Sequence, residues 1–209
     1  MLFKQHQRVL FIGDSITDAD RAGLSAPYGN GYVSMVRNFM VARYPEYNLT
    51  FVNRGVGGNT VRNLSARWER DVIAERPHWV SVMIGINDVW RHFAYNAQEA
   101  VPLDEFQNTL RRLLQRVRES IRANLILMTP YMIENNRSAP MRQLMDVYGK
   151  TIELLAAEFG APLVRTQAVF DEVLKATPPS FWSSDKIHPG GPGHALIALA
   201  FLRTVGFEL

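Results

Sequence analysis

The chain has 209 residues, 47% of them hydrophobic and 21% charged, with a formal net charge of +3 and no cysteine. That is an ordinary globular composition, long enough to bury one good core, and it predicts a single domain over residues 1–209. The missing cysteine excludes disulfides, thiolate metal sites and a cysteine nucleophile.

In chain order, apolar β-rich runs alternate with helical patterns. The opening MLFKQHQRVLFIGDS lacks the long apolar stretch and small-residue cleavage site of a signal peptide. Val9–Ile12 reads as a first strand and Tyr32–Tyr44 as a helix ended by Pro45. Thr50–Asn53 is a second strand, Val61–Ala74 a helix and Trp79–Ile84 a third strand. Asp104–Arg122 reads as a long amphipathic helix with Asp104 as N-cap. Its basic half, RRLLQRVRESIR, keeps Leu110, Leu113, Leu114, Val117 and Ile121 at helical spacing. The arginines then fall on the solvated side without a recognition motif, so no nucleic-acid partner is expected. Leu125–Met128 is a fourth strand, Met141–Phe159 a helix stopped at Gly160, and Leu163–Val164 a short fifth strand. Gln167–Ala176 and Pro192–Val205 close the chain as helices. The longest strongly apolar run, ALIALAFL at Ala195–Leu202, is far short of the ~20 residues a membrane span needs. No membrane partner is expected, and the reading is a soluble cytoplasmic protein.

Strand–helix alternation predicts a parallel sheet with helices on both faces. Such sheets place their ligands at the C-terminal ends of the strands. Three polar or glycine-bearing loops follow strands one to three: GDS with Ser15, NRGVGGNT with Gly57 and Gly58, and IGINDVW with Asn87 and Asp88. Each alone has a bland reading. Ser15 could cap a helix, the glycines could serve a tight turn, and Asn87 could close an Asx-turn. The fourth stretch, SSDKIHPGGPGH, sets Asp185 three residues before His188. That spacing lets a carboxylate reach the imidazole Nδ1–H, fix the tautomer and leave Nε2 as a base. Together the four stretches hold a hydroxyl, a backbone donor, an uncharged amide donor and an oriented imidazole, the parts of an acyl-transfer site.

GDSITD, the glycine of GVGGNT, GIND and DKIHP, in that order, resemble the four blocks of the SGNH hydrolase superfamily of GDSL-type esterases and lipases. The resemblance implies a flavodoxin-like three-layer α/β/α fold with a parallel five-stranded sheet in the order 2-1-3-4-5. It implies Ser15 as nucleophile, His188 as base and Asp185 as its partner. The oxyanion hole would comprise the N–H groups of Ser15 and Gly58 and the Asn87 amide. By register Gly58, rather than Gly57, is the block glycine. Asp14 and Asp18 are expected to brace the nucleophile loop. No cofactor or metal is implied.

Further segments, among them LMTP, PMR and GHALIALAFLRT, are similar to bacterial acetylxylan esterases and related carbohydrate deacetylases. This implies a serine esterase acting on acetylated sugars such as xylo-oligosaccharides, as a homo-oligomer. Trp90 and Arg91, which follow Asn87, are candidates for stacking on a sugar ring and hydrogen-bonding its hydroxyls. The alternatives are a broader short-chain carboxylesterase or lysophospholipase-type acylhydrolase, a metal-dependent phosphoesterase using Asp14, Asp18, Asn87, Asp88, Asp185 and His188, and a non-catalytic carbohydrate-binding protein. No HExxH pairing is present to favour the metal-dependent reading.

Overall fold

In a computed structural model describing residues 1–94 and 97–208, five strands form one parallel sheet in the order β2-β1-β3-β4-β5. They are β1 (Arg8–Gly13), β2 (Thr50–Gly55), β3 (Trp79–Met83), β4 (Asn124–Met128) and β5 (Leu163–Val164). β1 and β3 are central and buried on both faces, which is why VLFI and WVSVM read as near-continuous apolar runs. β2 lies at an edge and alternates exposed with buried residues instead.

Nine α-helices are present among the described residues: α1 (Ser15–Asp18), α2 (Tyr32–Arg43), α3 (Val61–Trp68), α4 (Ile86–Trp90), α5 (Leu103–Ser120), α6 (Pro140–Glu158), α7 (Thr166–Val173), α8 (Pro179–Trp182) and α9 (Gly191–Thr204). α2, α7 and α9 pack together, as do α3, α5 and α6, so the sheet lies between two helical layers. Among the described residues, no helix is long and apolar enough to cross a membrane.

Three local expectations change. α5 begins at Leu103 with Pro102 in the capping position, so Asp104 is not the cap. Its carboxylate instead sits in the first turn, where the helix dipole favours a negative charge. The helix expected over 61–74 is α-helical only to Trp68 and continues as a π-helical turn, Glu69–Ile73, in which Ala74 N–H reaches Glu69 C=O. The short helices α1, α4 and α8 hold four or five residues each, too few to display a period. The basic face of α5 is largely paired: Arg111 with Glu158 at 2.9 Å and Arg116 with Glu69 at 2.7 Å.

The strand register determines where the loops go. Gly13 pairs with Gly55 and Met83, Met83 with Met128, and Met128 with Val164. The five strands therefore end level, and the residues that follow them share one edge. Gly13 is required by close approach: a Cβ there would lie 2.3 Å from the Met83 carbonyl oxygen and 2.4 Å from Thr17 Oγ1. Gly13→Ala is therefore expected to lower stability by at least ~2 kcal/mol through forced separation of β1, β3 and α1. Urea unfolding checks this, and a variant as stable as the parent would contradict it.

Candidate active site

β1 delivers the GDS turn to the sheet edge. The N-cap of α1 is Asp14, whose Oδ1 accepts from Ile16 N–H at 3.0 Å. Ser15 is the first helical residue and its hydroxyl is not needed as a cap. That oxygen lies 2.9 Å from His188 Nε2. His188 Nδ1 lies 2.6 Å from Asp185 Oδ2. The Asp185 carboxylate only accepts, so the neutral imidazole carries its proton on Nδ1, and Nε2 faces the serine as an acceptor.

The turn holding Asp185 and His188 is built largely by Asp185 itself. Its Oδ1 accepts from the Ser183 hydroxyl at 2.9 Å and from the backbone N–H groups of Ile187 and His188 at 2.9 and 2.8 Å. Burial pushes this carboxyl up, but the hydrogen bonds from the His188 ring, these two N–H groups and Ser183 outweigh it and hold it well below the usual carboxylate range. Ile187 is buried, and the Lys186 ammonium pairs with Glu134, so the turn is seated on the chain that leaves β4. Ile133 N–H donates to Lys186 C=O at 2.8 Å. The charged half of the site is open: the side chains of His188 and Asp185 are 49% and 47% exposed.

Gly57 and Gly58 border the serine from β2, and a Cβ on Gly57 would come 3.9 Å from Ser15 Cβ. The Gly57 N–H is taken by Asp18 Oδ2 at 3.2 Å, whereas among the described residues no group accepts from Gly58 N–H. Gly58 has φ +74°, a conformation that favours glycine, and its missing Cβ leaves the cleft open there. Asn87 comes from α4 and is buried. Its Nδ2 gives one hydrogen to Asn59 C=O at 3.0 Å, which turns the amide toward the glycine loop and leaves its second N–H available. The structure thus brings Ser15, Asp185, His188, Gly58 and Asn87 to one place, with Asp14 and Asp18 bracing the surrounding backbone.

Trp90 ends α4 three residues after Asn87, and Arg91 follows it as the C-cap residue. Trp90 is 42% exposed. Arg91 is placed differently from a free hydroxyl-binding group: it donates to Gly58 C=O at 2.9 Å and to Glu99 at 2.7 Å. Its guanidinium is held by the glycine loop because α4 presents it directly across that loop. Among the described residues, no group of three or more His, Asp or Glu side chains is placed to hold a metal ion.

Several residues around the site carry no signal in the sequence. Asn53 Nδ2 donates to the carbonyls of Thr17 and Tyr28 at 2.7 and 2.9 Å, pinning the chain around α1. His194, near the start of α9, accepts Tyr32 N–H on Nδ1 at 3.2 Å, and burial, then the charge of His188, lowers it to about 4. It is a neutral second imidazole behind the site. Tyr131 is fully buried, with a hydroxyl that has no hydrogen-bond partner among the described residues.

The fold is a parallel sheet between two helical layers, and residues 11–196 match the model of the GDSL-like lipase/acylhydrolase family. The chain belongs to that family. It is 47% identical over 209 residues to an acetylxylan esterase of Geobacillus stearothermophilus, covering 97% of this chain and 95% of that one. The crystal structure of Axe2, an acetylxylan esterase of that organism, superposes with a TM-score of 0.96 at 46% identity, over 100% of this chain and 98% of that one. LAE5, an alpha/beta hydrolase enzyme from the metagenome of Lake Arreo, Spain, gives a TM-score of 0.94 at 42% identity, over 99% and 98% of the two chains.

Two buried carboxyls stand behind the site. Burial pushes Asp14 up to about 7 against the hydrogen bond from Ile16 and the attraction of His188. Burial likewise pushes Asp88 up to about 7, although its Oδ1 accepts Val61 N–H at 2.9 Å at the start of α3. Among the described residues, Asp88 Oδ2 is buried without a hydrogen-bond partner. In the unfolded chain this carboxyl ionises near 3.8, while in the folded chain it stays protonated until about 7. The stability it contributes is therefore complete below about 4 and is lost as pH rises toward 7. Asp88→Asn keeps the acceptor for Val61 and removes the proton. Relative to the parent, the variant should gain on the order of 1–3 kcal/mol between pH 4 and 8. Parallel pH profiles of unfolding free energy for the two proteins would disprove this.

Proposed function

We propose that this chain is a serine esterase that removes O-acetyl groups from acetylated sugars such as xylo-oligosaccharides, through an acyl-enzyme on Ser15. The observation that carries the proposal is the unbroken line from Ser15 Oγ to His188 Nε2 at 2.9 Å and from His188 Nδ1 to Asp185 at 2.6 Å. The substrate class is supported by the relatives, among them an acetylxylan esterase and an acetyl-xylooligosaccharide esterase. Catalytic mutants of Axe2 replace a serine, an aspartate and a histidine with alanine, the last two separated by three positions as in this chain.

In the proposed reaction, Ser15 Oγ attacks the acetyl carbonyl carbon while its proton passes to His188 Nε2. Negative charge moves onto the carbonyl oxygen, which is met by the N–H groups of Ser15, Gly58 and Asn87. Collapse of this intermediate breaks the bond to the sugar oxygen, and His188 returns the proton to that leaving hydroxyl. Water then gives a proton to Nε2 and attacks the acyl carbon. A second collapse breaks the bond to Ser15 Oγ and releases the acyl group as acetic acid, while His188 returns the proton to that oxygen and restores the Ser15 hydroxyl. Asp185 holds the tautomer and stabilises the imidazolium in both halves.

The half-exposed His188 and Asp185 suit a small acyl group carried on a bulky alcohol, and exposed Trp90 offers a face for the sugar ring. The proposal treats residues 1–209 as one hydrolase domain working in the cytoplasm on short, imported oligosaccharides. Self-association is part of it, supported by exposed Leu24, Phe39 and Phe181.

Ser15→Ala should lower kcat on acetylated xylose at least ~10³-fold, and Asn87→Ala ~10²–10³-fold, both with unchanged circular dichroism. Near-parental turnover by Ser15→Ala would end the mechanism. Across p-nitrophenyl esters, acetate should be the best substrate, and preference for octanoate or longer chains would refute the deacetylase assignment.

A further inference from the structure

Arg67 lies on α3, away from the reacting atoms, with a side chain only 9% exposed. Its guanidinium is spread over four acceptors. Nε donates to Asn59 Oδ1 at 2.8 Å, Nη1 to Arg54 C=O at 2.7 Å and to Asp71 at 2.8 Å, and Nη2 to Gly13 C=O at 3.0 Å. Three of these acceptors are exits toward the site. Gly13 ends β1, two residues before Ser15. Arg54 is the penultimate residue of β2. Asn59 follows Gly58, and its own carbonyl receives the Asn87 amide. Asp71, held below this fork by the π-helical turn, accepts from Arg67 and Arg70.

A guanidinium is planar, with its five N–H donors at fixed angles. Acceptors bound to one such plane cannot move independently. A buried arginine needed only for packing or for pairing with Asp71 has no reason to contact the ends of two strands and the donor loop. An oxyanion hole, by contrast, works only if its donors are held in place before charge develops.

We propose that Arg67 is the positioning residue of the oxyanion hole, fixing the Gly58 N–H and the Asn87 amide relative to Ser15 through Gly13, Arg54 and Asn59. This rests on the serine-esterase reading above. Arg67 touches no substrate, so its loss should leave binding intact and weaken the chemical step.

The test compares Arg67→Lys, which keeps the charge beside Asp71 but loses the fork, with Asn59→Ala, which cuts only the tie to the donor loop. Turnover of p-nitrophenyl acetate is normalised to sites titrated to completion with a fluorophosphonate, and unfolding midpoints are measured alongside. Each variant should lose about ten- to a hundredfold in kcat, with KM within about twofold, because a misplaced donor costs less than an absent one. The double variant should be no worse than the poorer single one, since both remove the same tie. If kcat per titrated site stays within about twofold of the parent in Asn59→Ala, or if the two losses multiply, Arg67 is structural only. Should Arg67→Lys not fold, the kcat and KM of Asn59→Ala decide alone. Ser15→Ala, which a fluorophosphonate cannot titrate, is assayed per mole of protein: an active Ser15→Ala overturns the esterase reading and this proposal with it, whereas parental behaviour of Asn59→Ala beside an inactive Ser15→Ala overturns only the positioning role.

Discussion

Asp14 caps the turn after β1, so Ser15 does not have to. Two adjacent polar residues follow a buried strand, and either could satisfy the open backbone donors of α1. Because Asp14 Oδ1 takes the Ile16 N–H, the Ser15 hydroxyl is left to His188. The arrangement buries a carboxyl whose charge is disfavoured by its surroundings, as its upward shift records. Gly13 sets the same turn from the other side, since any side chain there would collide with β3 and Thr17.

The opposite half of the site is held by a different use of a carboxylate. Asp185 is half-exposed and charged, and one of its oxygens organises its own turn through Ser183, Ile187 and His188 while the other orients the imidazole. Ionised Asp185 and buried Asp14 both interact with His188, in environments that push them in opposite directions. The glycine loop is gripped from two sides, by Arg91 on Gly58 and by Arg67 on Asn59. Asp18 meanwhile takes up the Gly57 N–H and leaves that of Gly58 to the cleft.

Much of this was legible from local chemistry. The strands VLFI and WVSVM announce central positions by being apolar on both faces, and the long helices announce themselves by period. The Asp185–His188 pair is local, so its spacing put a contact within reach, and the tertiary structure forms it. The short helices α1, α4 and α8 were not legible, because four or five residues cannot display a helical repeat. The α5 start moved from Asp104 to Leu103 because a first-turn carboxylate satisfies the helix dipole without capping it.

The roles of Arg67, Arg91, Asn53 and His194 could not be read from sequence for another reason. Each acts on an acceptor or donor supplied by a distant stretch of chain, and an arginine at position 67 of an amphipathic helix looks like any solvated one. The amino-acid order by itself determined the alternation of strand and helix and the chemical inventory of the four loops, since both follow from residue type and short-range spacing. Only the tertiary structure decided which N–H groups are already taken and which remain for the cleft, because that depends on parallel strands ending level and on side chains such as Arg67 bridging their ends.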